Sequence, residues 1–152
     1  MTDETKNAPT VLTEKVNKIK VIARDYLRMK LISPRLTKIA SYEADLAANA
    51  KEVDAVNHEI LVENYEIGVL DQNHPDYAET KADKEKVVAN DQDTLKALAE
   101  DAANTKKAID EQKAGIADIE SGKTKVSLDE LNEMVEKLIA TEVREEVKVD
   151  VA

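Results

Sequence analysis

Between residues 39 and 70 the chain steps by three and four without a slip, through Ile39, Tyr42, Leu46, Asn49, Val53, Val56, Ile60, Glu63, Ile67 and Leu70. Eight of these ten positions are apolar, and those between them are mostly Ala, Asp, Glu, Lys and Asn. This alternation keeps one stripe on one side of an α-helix, so the segment predicts a heptad seam. After an interruption at DQNHPD the stepping resumes through Tyr77, Lys81, Lys84, Val88, Asp91, Leu95, Leu98, Ala102, Thr105, Ile109, Gln112, Ile116 and Ile119. A short connection between two such seams predicts an antiparallel helical hairpin. Folding there pairs positions whose numbers sum to about 148: Leu70 with Tyr77 or Ala78, Ile60 with Val88, Val53 with Leu95, Leu46 with Ala102 and Ile39 with Ile109. Glu63 then faces Lys84, a charge pair that helps set register, whereas Asp91 faces Val56, a poor match.

Ahead of the seam, Thr10 is a candidate N-cap, and Leu12, Val16, Ile19, Ala23 and Tyr26 start another helical stripe running to about Ile32. Val21, Ile22, Leu27, Met29 and Leu31 widen it, and a helix apolar on more than one face expects more than one neighbour. Ser33-Pro34 predicts a boundary, because proline lacks a donor and clashes with the preceding turn. The stripe can nevertheless be followed across it, so a kink and a reversal both stay open. Continuing the pairing brings Ile116 to Ile32 and Ile119 to Met29, which favours the kink.

Beyond Ser121-Gly122, Ser127 and Glu130 form a capping box before Leu128, Leu131, Met134, Val135, Leu138 and Ile139. This predicts a short amphipathic helix that covers the apolar first one. In the tail, Val147, Val149 and Val151 alternate with Lys148 and Asp150, a strand pattern. A lone strand is unstable, so the tail is expected to be disordered or donated to another chain's sheet edge.

The fold class is therefore all-α. It is a long antiparallel helical hairpin, coiled-coil-like, with a short extra helix and a β-prone C-terminal tail. Residues 1–10 read as disordered, 11–141 as one elongated domain with helices at about 11–32, 34–70, 75–121 and 127–141, and 142–152 as the tail.

Composition agrees. The 152 residues include no Phe, no Trp, four Tyr and three Gly, so Ala, Val, Leu and Ile must supply the core while 36% of the chain is charged. Without Cys there is no disulfide and no thiolate metal site. The opening MTDETKNAPT lacks the apolar run of a signal peptide, and no segment reaches the length of a membrane span. The expectation is synthesis in a cytoplasm, with incorporation into a virion or other large assembly as one destination.

Charge changes the picture more. Residues 11–38 carry eight basic and two acidic side chains, whereas 39–152 carry thirteen basic and twenty-eight acidic. A basic segment on an acidic body suggests copies packing head to body, a basic arm on a nucleic acid or other acidic surface, or a solvated face whose charge serves only solubility. Lys15, Lys18, Arg24 and Arg28 are the candidate partner contacts there, with Val147, Val149 and Val151 in the tail.

No motif carries catalytic, cofactor or metal chemistry. His74-Pro75-Asp76 between two helices resembles the loop of J-domain co-chaperones, which implies an Hsp70-docking role. In that family the preceding helix is basic, whereas here it ends HEILVENYEIGVLDQN, which is acidic. Turn chemistry accounts for each residue: Asn73 or His74 caps the helix, Pro75 takes its first position, and Asp76 complements the dipole. GIADIESGKT lacks the spacing of a phosphate loop, and Gly122 reads as the C-cap of a helix. His58 and His74 fall on separate elements. The predicted function is a non-enzymatic assembly protein, homo- or hetero-oligomeric, whose style resembles virion and scaffolding components of phages and bacteria. The alternatives are a nucleic-acid-associated protein and an adaptor or chaperone-like clamp. The residues expected to carry the structural role are the seam (Ile39, Leu46, Val53, Ile60, Ile67, Leu70, Val88, Leu95, Leu98, Ile109 and Ile116) and the turn (Asn73, His74, Pro75 and Asp76).

Overall fold

A computed structural model describes the backbone of residues 3–151 and the side chains of residues 12–142. It is all-helical: α1 spans Asp3–Gly68, α2 spans Tyr77–Glu120 and α3 spans Leu128–Val151. The chain divides into two compact units, residues 37–113 forming one and the flanking segments the other.

The 37–113 unit contains the later part of α1, the turn and most of α2. Every position of the three–four series in this unit is buried or half-buried, while most positions between them are exposed. Among the described residues of this unit, Ile39, Leu98 and Ile109 are buried, at 7–8% exposure, and the rest of the series is half-buried. Each helix has a single neighbour here, so a seam side chain is covered from one side only. Cross-helix contacts place Glu63 against Lys84 near the turn and Asn49 against Leu98 farther from it.

In the other unit three helical segments meet. Ile19, Ala23 and Leu27 of α1 pack against Leu131 and Val135 of α3 in one cluster, with Val126, Met134, Leu138 and Ile139 around it. Ile32 and, at the end of α2, Ile119 are buried as well. The Arg35 guanidinium occupies the space left by the missing side chain of Gly115, so a methyl group at that position would collide with it.

Three expectations are corrected. The boundary at Ser33-Pro34 is absent, since α1 runs through it unbroken. Pro34 cannot donate to the carbonyl four residues back, but buried Ile32 and Ile39 flank it, and burial on both sides offsets the lost hydrogen bond. Residues 3–10, read as disordered, are helical. The β-prone tail is also helical, α3 continuing to Val151 rather than stopping near 141. A strand needs a sheet edge, and the described residues form no strand. Helix costs a β-branched residue only a few tenths of a kcal/mol, so the alternating valines follow the helix. The side chains of Val147, Val149 and Val151 lie outside the described residues.

Candidate interaction surfaces

The α2–α3 junction is built by local chemistry. Gly122 has φ near 80°, the left-handed conformation that favours glycine at a helix C-terminus. Its N–H donates to the Ile119 carbonyl, and the Thr124 N–H donates to that of Asp118. Five residues on, the Glu130 N–H donates to Ser127 Oγ at 3.4 Å and α3 begins. This junction closes over α1 and leaves a cavity of about 300 Å³. Its rim carries Arg24, Arg28 and Lys125, and Val126, Leu128 and Leu131 provide apolar lining. Two of the four predicted basic contacts therefore converge with a lysine that sequence reasoning did not connect to them. Lys15 and Lys18 do not line this cavity.

A different face of α1 is unusual for its exposure. Ile22, Tyr26, Met29 and Leu36 are 48–58% exposed and fall within about 80° of arc at 3.6 residues per turn. Met29, which the extended pairing sets against Ile119, remains among them. α3 covers the adjoining face through Ile19, Ala23 and Leu27 and leaves this stripe uncovered.

At the turn, Asp71 and His74 organise the backbone. Asp71 Oδ1 accepts from the Asn73 N–H at 3.0 Å, and His74 Nδ1 accepts from the Asp76 N–H at 3.1 Å. The Asp76 carbonyl then accepts the first i,i+4 hydrogen bond of α2, from the Thr80 N–H. The expected start is corrected: α2 begins at Tyr77, so Asp76 rather than Asn73 or His74 stands at the cap position, and Pro75 lies in the turn rather than at the first helical position. Beside the turn lies a second exposed stripe, Leu61, Tyr65 and Val69, with Val62 at its margin. Sequence reasoning followed only the seam and passed over it, although its i, i+4, i+8 spacing was the available signal.

Several polar residues interrupt the seam, and three of them, Asn49, Lys84 and Asp91, are met in different ways. The Asn49 side-chain amide donates to the Leu98 carbonyl at 2.9 Å. Lys84 pairs with Glu66 and, at 3.4 Å, with Glu63. The hydrogen bond to Glu66 is the main cause raising the Lys84 pKa, reinforced by the charges of Glu63 and Glu66 against partial desolvation. Asp91 Oδ2 is buried with no hydrogen-bond partner.

Among the described residues no group of three or more His, Asp or Glu side chains is arranged to hold a metal ion, and no helix is long and apolar enough to cross a membrane. Among the described residues, two apolar stripes stand exposed and a groove is lined by Arg24, Arg28 and Lys125. No known protein family, curated protein or solved structure matches the chain.

Proposed function

We propose that this is a non-enzymatic assembly protein: a long antiparallel helical hairpin, coiled-coil-like along its seam, that makes homo- or hetero-oligomeric contacts in a larger structure. The observation that carries the reading is the apolar surface of α1. Ile22, Tyr26, Met29 and Leu36, and farther along Leu61 and Tyr65 with Val69 just past the helix end, are large side chains left in water at helical spacing. Scattered exposed apolar residues are ordinary, but several grouped along one stripe mark contact sites. The half-buried seam between residues 37 and 113 points the same way, because further neighbours would complete its burial. A virion or a scaffold is one setting that such a component fits.

The test is isolation from the native source followed by mass determination of the intact particle. A defined oligomer or a stoichiometric complex is expected. A stable monomer with no associated protein would overturn the reading.

A further inference from the structure

The two exposed stripes are both apolar but differ sharply in the charge around them. The first lies in the segment 11–38, with its eight basic and two acidic side chains. The second lies in residues 52–80, which hold eight acidic side chains and no Lys or Arg. Extending that segment to include Lys81 and Lys84 still leaves nine acidic against two basic through residue 84. The first stripe runs over about 21 Å of α1 and the second, with Val69 just past the helix end, over about 12 Å, so the second can be received within the first.

Pairing either stripe with its own kind in a twofold dimer brings like charges together. Pairing one with the other buries both apolar surfaces between opposite charges. We propose that the occupant of each stripe is the other stripe of a second copy: Ile22, Tyr26, Met29 and Leu36 of one chain receive Leu61, Tyr65 and Val69 of the next. This rests on the assembly reading above and supplies its partner, the chain itself. The contact is heterologous, so each added copy leaves one basic and one acidic stripe unused. The assembly grows as an open array unless its geometry closes a ring.

The logic of a heterologous contact gives a decisive experiment. One variant carries Ile22→Gln and Met29→Gln, and another carries Leu61→Gln and Tyr65→Gln. All four positions are exposed and glutamine is a good helix former, so circular dichroism is expected to show unchanged helicity. Sedimentation of the unaltered chain should show a concentration-dependent series of oligomers that shrinks as salt rises. Each variant alone should sediment as a monomer. Mixed together they should form a one-to-one pair and stop there, since each supplies the stripe the other lacks.

If the Leu61/Tyr65 variant self-associates while the Ile22/Met29 variant does not, and the mixture forms no pair, the contact is basic stripe to basic stripe and the proposal is overturned. It is overturned too if the unaltered chain is a monomer at every concentration. That second result, found together with a larger complex containing other proteins in the native source, would remove self-pairing and leave the assembly reading standing. Loss of helicity in either variant would be met by Tyr26→Gln or Val69→Gln, read in the same mixing assay with the same outcomes.

Discussion

The three-helix unit and the two-helix unit draw on the same small palette of Ala, Val, Leu and Ile, yet they bury it to different depths. Ala23, Leu27, Ile119 and Leu131 are at most 6% exposed. In the 37–113 unit, Leu46, Val53, Ile60 and Ile67 occupy equally regular positions and stay half-buried. The side chains are alike and the number of neighbouring helices differs. A helix covered on two sides can enclose a leucine, whereas the helix pair leaves most of its seam half-buried and buries Ile39, Leu98 and Ile109 at 7–8% exposure. Burial in this protein is set by how many helices pass a point more than by how apolar the point is.

The largest expected effect tests this directly. Leu27→Ala should cost about 3 kcal/mol in denaturant unfolding, the range for a buried leucine, while Leu46→Ala should cost about half as much. Equal losses would show that depth of burial is not what separates the units. Next comes the junction that lets α3 reach α1. Gly122→Ala puts a side chain on a left-handed residue, with Arg28 Nη2 at 3.4 Å from the new methyl, and should cost about 1–2 kcal/mol. An unchanged melting temperature would argue that the closed three-helix arrangement does not depend on this cap.

A gain is expected in the two-helix unit. Asp91→Ala removes a carboxylate whose Oδ2 has no partner, and should stabilise the chain by about 1 kcal/mol at neutral pH. Destabilisation there would mean that Asp91 has a favourable role that its buried oxygen conceals. The smallest effect concerns Lys84. Its pKa is raised above the ordinary lysine value by Glu66 and Glu63, so its contribution is present below that value and disappears as pH rises through the raised one. Lys84→Met should therefore lower stability slightly at pH 7 and flatten the decline above about pH 10. A variant whose alkaline decline matches that of the unaltered chain would show that other groups cause it.

How much of this was legible beforehand depends on how local each cause is. The helices could be read residue by residue because a helix imposes its period on the sequence without reference to anything distant. Every seam position among the described residues is buried or half-buried. The turn at His74-Pro75-Asp76 and the cap at Gly122 were readable for the same reason, since their backbone demands are met within a few residues. The opposition of Glu63 and Lys84 needed only the position of the turn, and they meet at 3.4 Å.

The sequence by itself therefore determined that the chain is helical and where the first long helix gives way to the second. Tertiary structure alone decided that α1 passes unbroken through Pro34, where burial of Ile32 and Ile39 outweighs a local helix-breaking preference. It also decided that the alternating valines near the C-terminus follow α3, because no strand among the described residues offers them an edge. And it decided which apolar face of α1 is left in water: a helix with apolar residues on several sides records that it wants neighbours, but only the placement of α2 and α3 reveals which face they leave open.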